Sequence, residues 1–196
     1  MVDQGRGGIA NQGHGPLLEQ VILKEYDRLQ DAYRDRVVDS RSSTHLHLAC
    51  MALATRKALL PFLRDEAAVG ELIGEHLGQS SHAALTFLMK AVKFLQADHF
   101  QLLKTRLRGL KMDYGTAFEP SYDEEGPAAA RLTFRSCLYA DVFAKEGAPS
   151  LTRFACCQTD RLWLEGAQYR GVDARLSSSI GAGDDACCFV VTRVGG

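Results

Sequence analysis

The feature that most restricts this chain is a change of hydrophobic period at Gly109. Before it, apolar residues recur every three or four positions, as on a helix; after it, they alternate or gather between Gly and Pro, as on strands. Leu18, Ile22, Tyr26, Leu29 and Tyr33 form one helical stripe, with Pro16 suited to its first position and a stop expected near Ser40. Thr44 is the expected N-cap of a second helix through Leu46, Ala49, Cys50, Leu53 and Leu60, which Pro61 kinks or ends. Asp65 caps a third helix, with Gly78 as its stop. The longest expected helix covers residues 82–107 and ends at Gly109. It is apolar nearly all round between Leu85 and Leu95, which suits a central buried helix.

Beyond Gly109, residues 112–122 and 131–135 read as a hairpin around the loop Asp123-Glu124-Glu125-Gly126-Pro127. Helical stretches return at 139–145 and, after Pro149, at 150–164. Residues 172–180 and 187–193 form a second hairpin, joined by Gly181-Ala182-Gly183-Asp184-Asp185. Helices packed on one face of a four-stranded antiparallel sheet close such a chain most simply, so the expected class is α+β. One domain is expected over 16–196, helical to 109 and strand-rich from 110. Residues 1–15, rich in Gly and Gln, form a flexible tail that buries too little surface to offset its ordering entropy.

The net charge of −1 and a pI near 6.6 give no electrostatic case for a nucleic acid or an anionic membrane surface. The N-terminus carries no apolar run of a secretory signal. The most apolar window, 83–95, is broken by Lys90 and Lys93 and falls short of the ~20 residues that span a bilayer. No nucleic-acid or membrane partner is therefore expected, and the location is expected to be cytoplasmic, while homo-oligomerisation stays open. The six cysteines are expected as reduced thiols, because adjacent cysteines strain the intervening peptide when they bridge and a core of this size needs no staples.

Residues 137–189 hold five of those cysteines and the only tryptophan, Trp163. On a helix, Cys157 and Asp160 share a face with Leu164, while Cys156 points about a quarter turn away. On a strand, Cys187 and Phe189 share one face and Cys188 and Val190 the other. At most one member of each adjacent pair should then reach a site, and Cys50, Cys156 and Cys188 are expected to pack. No Cys-x-x-Cys spacing occurs, and all six histidines precede residue 100, so a zinc site on three of the cysteines would need His45, His47 or Asp98-His99 from the helical half; the expectation is neither a metal nor a cofactor. Phosphate-loop, Gly-x-Ser-x-Gly and His-Glu-x-x-His patterns are absent.

The series Cys137-Leu138-Tyr139, Phe143-Ala144-Lys145-Glu146-Gly147, Cys157-Gln158-Thr159-Asp160 and Gly183-Asp184-Asp185-Ala186-Cys187-Cys188-Phe189 resembles the L-2-amino-thiazoline-4-carboxylic acid hydrolases over about residues 110–193. The chain departs from that pattern at Leu138, where Pro is common, and at Cys188, where Asp is usual. The closing element also resembles 4-vinyl-reductase-type ligand-binding domains, although Arg175-Leu176-Ser177-Ser178-Ser179 lacks the Glu and Cys with which some of those bind metal. The first resemblance implies an enzyme that hydrolyses a cyclic amidine, opening a thiazoline to an N-carbamoyl amino acid, with a ring C–N bond as the expected point of cleavage. It implies a small-molecule substrate and a site drawn from Cys137, Cys157, Asp160, Asp184 and Cys187. Cys137 or Cys187 is the expected nucleophile, Asp160 the base or orienting group, and Asp184 the group that positions a strand-end thiol. The Cys188 departure leaves room for an isomerase or cyclase of specialised metabolism in the same pocket, or for a binding module without catalysis.

Overall fold

The computed structural model describes residues 15–77, 98–158, 160, 161, 164 and 171–194. Along them run α1 (Gly15–Ala32), α2 (Ser40–Leu63), α3 (residues 66–77), α4 (His99–Tyr114), β1 (Pro120–Glu124), β2 (Ala129–Phe134), α5 (Leu138–Lys145), a π-helical turn at Arg153–Cys157, β3 (Val172–Ser178) and β4 (Cys187–Arg193). The strands form one antiparallel sheet in the order β1-β2-β4-β3. Each hairpin supplies one edge, and β2 pairs with β4 at the centre, with Leu132 opposite Phe189 and Phe134 opposite Cys187. Alternation decides which face is covered. Ala130, Leu132, Phe134, Phe189 and Val191 join the core, and α4 packs against β1, β2 and β4. The expected α+β architecture, with helices in the first half and two hairpins in the second, is the architecture found.

Helix boundaries differ from their expected places, each for a physical reason. The α1 helix stops at Ala32 because the chain turns to send Tyr33 inward, where its hydroxyl donates to Glu146 Oε1 at 2.8 Å. Arg28 reaches Glu146 Oε2 at 2.6 Å, so α1 is tied to the end of α5. Helix α2 begins at Ser40, since Asp39 and not Thr44 is its N-cap. Asp39 Oδ1 accepts from Ser42 N at 2.6 Å while Ser42 Oγ accepts from Asp39 N at 2.9 Å, a reciprocal capping box. Thr44 lies one turn inside the helix, its hydroxyl donating to Ser40 O. The other carboxylate oxygen of Asp39 accepts from the backbone N–H and hydroxyl of Thr116, at 2.9 and 2.8 Å. This contact explains Gly115, which has φ +76° and where a Cβ would stand 2.7 Å from Asp39 Oδ2.

Pro61 lies within the last turn of α2, which closes on Arg64 in the left-handed region. By length and composition α2 could cross a bilayer. It is nevertheless a core helix here: Leu46, Ala49, Cys50, Leu53, Ala54 and Ala58 are buried, and it packs on α1, α4 and α5. Asp65 caps α3 as expected, accepting from Ala67 N at 2.9 Å. Helix α4 opens on Asp98 and passes through Gly109 without a break to Tyr114. The ~1 kcal/mol by which glycine disfavours a helix interior is outweighed by burying Leu103, Leu107 and Leu110. The expected strand over 112–122 therefore shortens to β1. Residues 78–97, where Gly78 and most of the expected central helix fall, lie outside the described residues, as do the tail through residue 14 and Trp163.

The π-helical turn is pressed between α3 and the loop after β3. A Cβ at Gly70 would lie 2.5 Å from the Phe154 ring, and one at Gly74 would lie 2.5 Å from the Phe154 carbonyl oxygen. Two glycines four residues apart on α3 thus admit Phe154, and with it set the height of Cys156 and Cys157 over the sheet.

Candidate active site

Four thiols from three elements meet where the π-helical turn crosses the ends of the second hairpin. Cys156 and Cys157 leave that turn, Cys187 begins β4, and Cys137 stands at the N-cap position of α5. Hydrogen bonds link them in a chain: Cys156 donates towards Cys137 and Cys157, and Cys187 donates towards Cys157. Cys157 is the sulfur that lines an adjoining cavity of about 1050 Å3, together with Arg153, Arg161, Ser179, Gly181 and Asp184.

Donors surround Cys157. Thiols of Cys156 and Cys187 point at its sulfur, the Ser179 hydroxyl donates from 3.1 Å, and the Gly181 backbone N–H is directed at it. A sulfur that only accepts is stabilised as its anion. The Cys156 and Cys187 hydrogen bonds, ahead of the opposing effect of burial, hold the Cys157 pKa below the ordinary thiol range. The donors carry the complementary shift. Cys187 is pushed up by its bond to Cys157, and its sulfur is seated by Ile180 N–H at 3.3 Å. Cys156 is pushed up by its bonds to Cys137 and Cys157. Cys137 is lowered, first by Cys156 and then, against burial, by N–H groups at the start of α5. Cys156 has one proton for two neighbours, so the anion settles on Cys157, which has three further donors.

The loop 179–186 is built to hold that sulfur. Asp184 Oδ2 accepts from Ser179 N at 2.7 Å, and Asp184 N donates to Ser179 O at 3.2 Å, which locks the loop into a ring. Asp184 therefore fixes Ser179, which bonds Cys157, while the strand-end thiol Cys187 is held by a backbone N–H. At Gly181 a Cβ would stand 2.6 Å from Cys157 Sγ. A side chain there would occupy the sulfur's place.

Asp160 meets the aromatic layer. Its Oδ1 accepts from the buried Tyr114 hydroxyl at 3.0 Å, and its charge helps to raise Cys156. Tyr114 stacks on His45, with centroids 5.0 Å apart. His45 meets the Tyr139 hydroxyl through Nδ1 at 2.9 Å and the Asp113 carbonyl through Nε2 at 3.3 Å. Only Nε2–H can donate to that carbonyl, so Nδ1 accepts from Tyr139. Burial lowers the His45 pKa and keeps the ring neutral. This aromatic layer backs the thiols and does not line the cavity.

All five candidate residues thus lie around one region, but Cys157, Cys187 and Cys137 belong to the thiol chain while Asp160 and Asp184 support its flanks. The expectation that only one of each adjacent pair reaches the site holds for β4 and fails for the turn. Cys188 faces the opposite side of the sheet, 3.9 Å from the Thr133 hydroxyl. At the turn, π geometry places fewer degrees between successive side chains than an α-helix, so Cys156 and Cys157 both enter. Ser179, Gly181 and Cys156 were not expected members. Their one signal is the run Ser177-Ser178-Ser179 leading into the Gly-Asp loop. Among the described residues no three His, Cys, Asp or Glu side chains are arranged to hold a metal ion.

A family model described as L-2-amino-thiazoline-4-carboxylic acid hydrolase matches residues 43–191, taking in most of the helical half as well as the strand-rich half. Comparison with curated proteins finds no match.

Proposed function

The chain belongs to the L-2-amino-thiazoline-4-carboxylic acid hydrolase family, and from that premise we propose that it hydrolyses a small cyclic amidine with Cys157 as nucleophile. The observation that carries this reading is the set of donors converging on a sulfur that lines the cavity. Cys157 Sγ attacks the amidine carbon while the Cys187 thiol passes its proton to an amidine nitrogen. The ring then opens, leaving an isothiourea on Cys157. Water adds to the same carbon and returns a proton to Cys187, and Cys157 departs as thiolate to leave the carbamoyl group.

The ring bond that breaks is assigned to C–S in place of the expected C–N. An N-carbamoyl product keeps its ring nitrogen on the amidine carbon, and a thiolate leaves more readily than an unprotonated amine. The new thiol on the product accounts for the remaining proton.

Substrate charge fits the cavity. Arg153, Arg161 and Arg175 line it with Asp184 as the acidic lining group among the described residues, and Arg175 is partly neutralised by Asp173 at 2.7 Å. A carboxylate-bearing heterocycle suits that balance. The case for a different reaction rested on Cys188, and its side chain lies on the sheet face away from the thiols. A carboxylate missing at 188 is therefore not missing from this cavity.

The direct experiment incubates the reduced protein with L-2-amino-thiazoline-4-carboxylate and follows ring opening by mass spectrometry and new thiol by a colorimetric reagent. Product with wild type and at least ~100-fold less with Cys157→Ala is the expected result, the scale of losing a covalent nucleophile. Undiminished turnover in the variant overturns Cys157 as nucleophile. No product from folded wild type overturns the substrate.

A further inference from the structure

We propose that Cys157 and Cys187 form a reversible disulfide driven by a hydroperoxide, which makes this pair an oxidation site as well as part of the cavity wall. The geometry supplies each requirement. Cys157 lines the cavity and so meets a small oxidant first, while Cys187 lies behind it within hydrogen-bonding reach and is not among the lining residues. Both sulfurs are seated on the same short segment. Cys157 Sγ accepts from Ser179 and lies where a Cβ at Gly181 would meet it at 2.6 Å, and Cys187 Sγ accepts from Ile180 N–H. Cys187 is also the partner that fits best. Bridging Cys156 to Cys157 would strain the peptide between adjacent residues, and the bonds of Cys137 run to Cys156.

The chemistry balances with hydrogen peroxide as the named oxidant. The Cys157 thiolate attacks one peroxide oxygen, the O–O bond breaks, sulfur is oxidised to sulfenic acid and hydroxide leaves. Cys187 sulfur then attacks the Cys157 sulfur, the S–O bond breaks, and the departing hydroxide leaves as water with the Cys187 proton. Two thiols and one peroxide give one disulfide and two waters. A nearby resolving thiol keeps Cys157 from the irreversible sulfinic stage. The hydrogen bonding that prepares Cys157 for a carbon electrophile prepares it equally for an oxygen one.

The effect on turnover rests on the reading of Cys157 as nucleophile, but the disulfide is read without any substrate. The reduced full-length protein is treated with stoichiometric hydrogen peroxide, alkylated, and mapped by non-reducing peptide mass spectrometry. The expected result is a Cys157–Cys187 linked peptide, loss of two of the six free thiols, and recovery of both on adding a dithiol reductant. In Cys187→Ser, treatment with excess peroxide should leave Cys157 with two or more added oxygens that the reductant does not remove, while wild type under the same excess still gives the disulfide. Because the wild-type map needs no variant, poor folding of Cys187→Ser leaves the test intact. A different linkage in wild type, or sulfinic acid at Cys157 without a disulfide, overturns the proposal. A correct disulfide in a protein that turns over no thiazoline supports the oxidation site and counts only against the hydrolase reading.

Discussion

Ser179 joins two distant parts of the chain: its backbone N–H is held by Asp184 and its hydroxyl donates to Cys157, 22 positions earlier. A hydrogen bond to a charged acceptor is worth about 1.5–3 kcal/mol, and about 1.4 kcal/mol corresponds to one pH unit. Ser179→Ala should therefore raise the midpoint of Cys157 alkylation by iodoacetamide by about 1–2 pH units, while circular dichroism stays unchanged. An unmoved midpoint would mean that the two thiols alone stabilise the anion. Gly181 tests the same point sterically. Its alanine variant puts a methyl 2.6 Å from the sulfur, so Cys157 must turn out of its ring of donors. The midpoint of Cys157 alkylation should again rise, by about one pH unit for each ~1.4 kcal/mol lost from the thiolate.

The π-helical turn owes its place to a neighbouring helix. Gly70 and Gly74 on α3 let Phe154 approach to a distance no Cβ tolerates, and at Gly74 the obstacle is the Phe154 backbone carbonyl, which cannot rotate away. Gly74→Ala should accordingly push the turn off α3, carry Cys156 and Cys157 with it, and cost about 1–3 kcal/mol as overpacking does. Urea melts measure the loss of stability, and the midpoint of Cys157 alkylation should rise in parallel. Stability lost with unchanged Cys157 reactivity would show that α3 does not position the site. Periodicity made most elements legible: the two hairpins were expected close to where β1 to β4 lie, with Cys187 and Phe189 on one face of β4 and Cys188 and Val190 on the other, and the structure buries the face of Phe189 and Val191 against the core. It misplaced the ends of α1, α2 and α4 because those ends depend on contacts made across the fold. Asp39 caps α2 but also binds Thr116, and Tyr33 leaves α1 to reach Glu146. The candidate cysteines were legible by type and order. What could not be read from spacing was the π turn, which admits Cys156, and the Ser179 contact, which exists only once β3 and the turn have met.

For the molecule as a whole, the sheet core and the thiol chain share a wall. Phe134 lies opposite Cys187 on the central strand pair and packs on Tyr114, which holds Asp160, and on Phe189. Phe134→Ala should cost about 3–5 kcal/mol by denaturant unfolding, a large part of a stability of this kind. The thiols also couple the fold to pH, with opposing signs. Cys157 has a lowered pKa in the folded protein, so the unfolded chain binds more protons between that value and the ordinary thiol value of about 8.5. Its contribution is complete above about 8.5 and disappears as pH falls through the folded pKa. Cys187 and Cys156 have raised values, so above about 8.5 the folded protein retains protons that the unfolded chain has released, and stability declines as pH rises. The difference in stability between wild type and Cys157→Ser should consequently grow from neutral pH, peak near about pH 8.5 and shrink beyond it. Urea midpoints taken with reductant at about pH 6, 7, 8.5 and 10 measure that difference. A difference that is flat across this range would mean that Cys157 carries its proton in the folded protein, and the hydrogen bonds around it would then have to be reassigned with Cys157 as a donor.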